Sequence, residues 1–197
     1  MKLRYLVIAL GLLVVVVYGA LVVVLAGVLR TDTSAKPGFT AKEAYPNAVK
    51  TAQGWQGDAQ LVSANASWRD FKPEELLEEE VSWGFTFFSP QTRSIRIFAV
   101  TPAGAQGVES IDVTPRTRVV DVGLWQVDSP EVLAVFLDHG GRDFLTQHPG
   151  ATVSLRLGPG EGDEPLVWLA FGISGTDSSS LTVQVNPGSG EVKTAAP

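Results

Sequence analysis

The sequence predicts an α+β chain: an N-terminal transmembrane helix, then two units, each one helix plus three strands of antiparallel sheet. Three observations lead there. Residues 5–29 are an uncharged run of 25 residues. Residues 125–192 open with a capped helical stripe and continue as three strand-like runs. An earlier stretch repeats that order: VSWGFTFFSPQTRSIRIFAVTPAG lies against LVWLAFGISGTDSSSLTVQVNPGSG, with Trp83 to Trp168 and Ser89 to Ser174 both at an offset of 85. One inserted residue then sets Ile95 and Ile97 on Leu181 and Val183. The expected organisation is a cytoplasmic tip and signal-anchor at 1–30, a linker at 31–39, a first, degenerate unit at 40–113, a linking strand at 114–128 and a second unit at 129–193.

As a helix, 25 residues extend about 37 Å at 1.5 Å per residue, enough to cross a bilayer core of roughly 30 Å with some tilt. A cleavable signal has an apolar core of only about 7–15 residues. No small-x-small cleavage site stands near the end of the run, and no cysteine is present for a lipid. A retained anchor is the expectation, with a cleaved peptide as the alternative. Lys2 and Arg4 precede the run, and the leading segment is too short to be a domain. The positive-inside rule and the signal-like position place the N-terminus in the cytoplasm and the rest outside the cell membrane.

In the first unit, Thr40 and Glu43 have capping-box spacing. Pro46 leaves two starts open, one at Thr40 with a kink and one at Pro46 itself. Ala48, Val49, Ala52 and Trp55 form the apolar stripe, and Gly54 and Gly57 mark its end. Val62, Ala64, Ala66 and Trp68 alternate as a first strand. EELLEEE reads as a solvated helical turn begun by Pro73. Trp83, Phe85 and Phe87 alternate as a second strand, and Ile95, Ile97 and Ala99 as a third. Val119, Val122, Leu124 and Trp125 suggest the linking strand.

The second unit is written more clearly. Asp128, Ser129 and Pro130 start a helix: Ser129 can accept from a free backbone N–H, and Pro130 suits the first helical position. Val132, Val135, Phe136 and His139 recur at helical spacing, and Gly140 and Gly141 are expected to stop the helix. Phe144 and Leu145 suggest one more short turn. Val153, Leu155 and Leu157 alternate with Ser154 and Arg156. Residues 166–173 are almost wholly apolar around Trp168, which predicts a strand covered on both faces. Leu181, Val183 and Val185 alternate as the third strand, closed by a Gly-rich turn at 186–190.

The helix at 130–139, Trp168 on a central strand, and VQVNPGSGEV as closing strand and turn make this unit resemble a PepSY-like domain. That family has a helix followed by three antiparallel strands and a turn of the form Asp-Ala-x-Thr-Gly-x-Val. Here Asn186-Pro187-Gly188-Ser189-Gly190 stands in its place, and the first copy has only Thr101-Pro102-Ala103-Gly104. The resemblance covers about 65 residues. It implies a protein-binding or peptidase-inhibiting module rather than an enzyme, and brings no catalytic residue with it.

The residues add little chemistry of their own. All 21 acidic residues but only 12 of the 15 basic ones follow residue 30, so the exported part carries about −9. That disfavours nucleic acid and anionic lipid surfaces. With no cysteine there are no disulfides, thiolate metal sites or thiol nucleophiles. His139 and His148 are nine apart, whereas a zinc pair on one helix wants four; Asp138 and Asp143 are near in sequence, but the Gly140–Gly141 break separates them. Gly172-Ile173-Ser174-Gly175 has the wrong spacing for a nucleophile elbow. Gly158-Pro159-Gly160-Glu161-Gly162 lacks the lysine of a phosphate loop. The acidic loops at 74–80 and 161–164 fall at equivalent places and read as solvated surface or as a partner or calcium contact. The five tryptophans, at 55, 68, 83, 125 and 168, read as core or as the lining of a groove. No catalytic, cofactor-binding or metal-binding residue is assigned. The expected function is a non-catalytic extracytoplasmic domain that binds an envelope protein or regulates a peptidase, held to the bilayer through residues 5–29. The alternative is a small-molecule or lipid-binding envelope domain.

Overall fold

The computed structural model describes residues 39–77, 80–112, 117–160, 162 and 164–196. The expected anchor at 5–29 lies outside them. Among the described residues no helix is long and apolar enough to cross a membrane.

The two expected three-stranded units are not what forms. Ala35–Pro197 is one compact unit, built on a single eight-stranded sheet in the order β4-β3-β2-β1-β5-β6-β7-β8. The elements are α1 (Ala41–Trp55), β1 (Gln60–Arg69), β2 (Trp83–Ser89), β3 (Ser94–Thr101), β4 (Gly104–Asp112), α2 (Ser129–Phe136), a kinked connection (Leu137–Gly141), α3 (Arg142–Gln147), β5 (Thr152–Gly158), β6 (Val167–Ile173), β7 (Ser180–Val185) and β8 (Val192–Ala196). Every pairing is antiparallel. The expected repeat of order survives, but each half has a fourth strand, and β1 pairs with β5 from Ala64↔Leu157 to Arg69↔Thr152. Alternation reports which face of a strand is buried; it does not report what lies at its edge. That is why the β1–β5 seam is invisible in the sequence.

β4 (GAQGVESID) and β8 (VKTAA) escape detection for a related reason. They are the two edge strands, each paired on one side only, and their composition is polar, glycine-bearing or small. The expected linking strand is absent among the described residues of 114–128. Residues 122–124 are instead a short 3₁₀ turn, capped by Asp121 Oδ1 accepting from Gly123 N–H at 2.9 Å. Val119, Val122 and Leu124 are exposed there, and only Trp125 of that group is buried.

The helices start as the sequence suggests. Thr40 and Glu43 form the capping box, so the start is at Thr40, and Pro46 lies inside α1. The stripe against the sheet is Ala41, Ala44, Ala48 and Ala52, all fully buried. Four alanines at spacings of three and four put methyl groups along the middle of that contact, so the backbone can lie close to the sheet, while Tyr45 and Trp55 pack on Phe85 and Phe98. In the second half the glycine pair ends the helix as expected: His139 (φ −108°, ψ 42°) and Gly140 leave the helical region, the chain kinks, and a second short helix, α3, follows directly. Gly140 takes φ +101°. A Cβ on Gly141 would lie 2.6 Å from the Phe136 carbonyl oxygen, so the crossing is possible only because that position carries no side chain.

Residues 73–77 form turns rather than a regular helix, with one helical bond from Leu76 N–H to the Lys72 carbonyl at 3.2 Å. Leu76, inside the acidic EELLEEE, is a buried plug at 1 % exposure.

Candidate functional site

The inner face of the sheet, toward the helices, is closed by aromatic packing. Trp83 and Trp168 meet edge to face, their centroids 6.3 Å apart. Trp68 abuts Trp83, Trp125 abuts Trp168, and Tyr45 of α1 abuts Trp125. Each such pair is worth about 0.5–1.5 kcal/mol beyond its buried area. Burial pushes the Tyr45 phenol pKa up. Trp68, Trp83, Trp125 and Trp168 are all at 5 % exposure or less, so they form core and not an open groove.

The same two tryptophans hold the helix starts. Trp83 Nε1 donates to the Phe39 carbonyl at 3.1 Å, and Trp168 Nε1 donates to the Val127 carbonyl at 2.9 Å. Phe39 and Val127 each directly precede an N-cap, Thr40 and Asp128. The offset of 85 thus marks a shared device, an indole N–H fixing the residue before a cap. The two N-termini also meet. Asp128 Oδ1 accepts from Ser129 N–H in its own helix at 2.7 Å and from Lys42 N–H of α1 at 3.1 Å. Ser129 Oγ accepts from Ala41 N–H at 3.0 Å, so the serine read as the cap of α2 in fact serves α1. One carboxylate therefore faces the positive ends of two helix dipoles.

The candidate chemical groups do not converge. His139 is exposed, and its Nδ1 lies 2.8 Å from the Val135 carbonyl, four residues back. His148 packs on the Phe144 ring and sits 3.4 Å from Asp177. Asp138 is 3.9 Å from Arg142. Among the described residues no group of three or more His, Asp and Glu could hold a metal ion. Ser89 and Ser174, the serine pair at offset 85, organise turns beside acids. Ser89 Oγ donates to Asp58 at 2.7 Å; this bond and the Gln91 N–H hold the Asp58 carboxyl below its usual range. Asp177 is held low by the Ser179 N–H first, then by Ser174. The loop at 158–165 is tied by Arg118, whose guanidinium donates to the carbonyls of Gly160, Gly162 and Glu164. Lys193 pairs with Glu164. The cation seated on that loop is a side chain of the chain itself.

What remains is the outer face. α1 and α2 both lie on the inner face, and no described helix packs on the outer one. Directly opposed residues share a face, so the register gives the outward rows Asn65–Arg156–Leu169–Gln184 and Ser67–Ser154–Phe171–Thr182. Ser67 and Ser154 are hydrogen-bonded across the seam at 2.8 Å. This polar centre is flanked by Phe88, Ile95 and Ile97 on β2 and β3, and by Val167, Leu169, Phe171 and Ile173 on β6. Of these Ile97 and Val167 are buried, Leu169 and Phe171 are half-buried, and Ile173 is 41 % exposed. The outward positions of β1, β2, β3, β5, β6 and β7 carry Arg69 and Arg156 and no carboxylate, in a chain with 21 acidic and 15 basic residues. Residues 166–173 read as a strand covered on both faces; among the described residues helices cover the inner face, and on the outer face Val167 alone of the row is buried.

No family model and no curated protein sequence matches the chain. A crystal structure of a provisionally assigned lipoprotein from Clostridium difficile 630 has a similar fold, with a TM-score of 0.50 and 11 % sequence identity over 85 % of this chain and 95 % of that one. The likeness extends to the arrangement of elements.

Proposed function

We propose that this protein is a non-catalytic envelope domain that binds another protein, with restraint of a peptidase as the form favoured by the PepSY resemblance. The observation that carries the reading is the outer face. Half a large sheet's surface offers apolar rows and two arginines while its helices are engaged on the other side. Apolar side chains that no described helix covers, as at Leu169, Phe171 and Ile173, support an interaction site. The uncharged run at 5–29 supports attachment to the cell membrane with the N-terminus inside, and the lipoprotein assignment of the fold neighbour accords with an envelope position. Proximity crosslinking of the full chain in its own membrane, read by mass spectrometry, tests it. Recurrent recovery of one envelope protein or peptidase is the expected result. Recovery of abundant neighbours alone would count against the reading.

A second reading rests on one feature. Trp68 Nε1 is buried and has no hydrogen-bond partner among the described residues. A small molecule or lipid with an acceptor oxygen between helices and sheet would satisfy it. Native mass spectrometry of the purified protein would show such a ligand as added mass.

A further inference from the structure

We propose that the β6 side of the outer face is the docking site for an amphipathic α-helix of a partner protein, one whose apolar stripe is edged by acidic residues. The inference rests on the protein-binding reading above and names where and what the domain binds.

Leu169, Phe171 and Ile173 stand outward at alternate positions of one strand; Val167, next in the register, is buried and closes the row at its end. At about 3.3 Å per residue the open row runs roughly 13 Å, the length of about nine helical residues. Its flanks differ. Toward β7 lie neutral Gln184, Thr182 and Ser180. Toward β5, Arg156 is directly opposite Leu169, and Arg69 is directly opposite Thr152, the neighbour of Ile173. The site is thus an apolar track with cations along one edge only, which fits a helix with carboxylates along the matching edge. Among the described residues neither arginine is in an ion pair.

Charge separates this occupant from the others. A second copy stacked face to face would set four arginines together with no outward carboxylate on these strands. Residues 1–30 of the chain carry three cations and no acid, so they would bring like charge to the same edge. An anionic bilayer would suit the arginines too, but a flat surface would have to cover the polar positions beside the track, Ser67 and Ser154 on one side and Thr182 and Gln184 on the other, whereas a single helix need lie only along the track.

The test uses the full chain in detergent and two labelled 13-residue helical peptides with the same leucine stripe. One has glutamate along the edge, the other lysine, and binding is read by fluorescence anisotropy. The glutamate peptide is expected to bind at least tenfold tighter. Arg156→Glu should invert the preference, Phe171→Asp should abolish binding of both, and Leu77→Asp, at an exposed leucine elsewhere, should change nothing. Circular dichroism confirms folding, and the exposed Arg156→Glu variant carries the test if Phe171→Asp does not fold. Equal binding of the two peptides, or a preference untouched by Arg156→Glu, overturns the inference. So does self-association, or binding to phosphatidylglycerol vesicles, that Phe171→Asp removes while the peptides fail to bind. The arms remain distinct: a partner crosslinked in the membrane that still binds the Phe171→Asp variant leaves the protein-binding function standing and removes this site.

Discussion

Trp83 and Trp168 do the same work with unequal backup. Both donate an indole N–H to the carbonyl before a helix N-cap. The Val127 carbonyl also accepts from Trp125 Nε1 at 2.9 Å, whereas the Phe39 carbonyl has the Trp83 bond as its indole contact. Replacing either tryptophan by phenylalanine removes the same volume from a fully buried site. Trp83→Phe additionally strands a carbonyl, at about 1–3 kcal/mol, while Trp168→Phe leaves Val127 satisfied. We therefore expect Trp83→Phe to be the more destabilising of the two by roughly 1 kcal/mol in urea unfolding. Equal losses would mean the N–H bonds do not hold the helix starts.

At the scale of the element, the second helix shows a stop signal that the residues spell out and the backbone obeys. Gly140 and Gly141 are positions that only glycine fills comfortably, and a glycine past the end of a helix is the usual sign of a stop. Here Gly140 does enter the positive-φ region and breaks the helix, and the chain kinks and resumes as α3, because Phe144 and Leu145 have core to reach on the far side. Gly172 beneath them keeps the space open: a Cβ there would lie 2.9 Å from the Phe144 ring and 3.2 Å from that of Phe136. Gly141→Ala should cost about 1–3 kcal/mol, as overpacking of a filled core does. Differential scanning calorimetry would show it as a fall in Tm. An unchanged Tm would mean that the kink can open enough to admit a side chain beside Phe136.

For the whole molecule, the legible and illegible parts divide along a physical line. Side-chain chemistry left its mark: the capping box at Thr40, the start at Asp128, the alternation of β1, β2, β3, β5 and β7, and the repeat that pairs Trp83 with Trp168 are all written in residue types. Backbone pairing left none. β4 and β8 hold on through main-chain hydrogen bonds at the edges, and the β1–β5 seam joins two halves with serines and small residues that would look the same if each half stood alone. The candidate surface was half legible. The unbroken apolar run at 166–173 demands cover on two sides, yet no pattern in one sequence says that the second cover is missing from the described fold or that Arg69 and Arg156 share its face.

The outer face exists only if the two halves form one sheet, so the seam is the place to test. The chain has no cysteine, and Ser67 and Ser154 lie directly opposite each other on β1 and β5. Opposed residues of an antiparallel pair have Cα atoms about 4.5–5.5 Å apart, within the range a disulfide can span. The double variant Ser67→Cys with Ser154→Cys should form an intramolecular disulfide under mild oxidation, seen as a faster-migrating monomer on non-reducing gels. Free thiols in the folded protein, or crosslinks only between molecules, would contradict the single sheet and with it the surface built upon it.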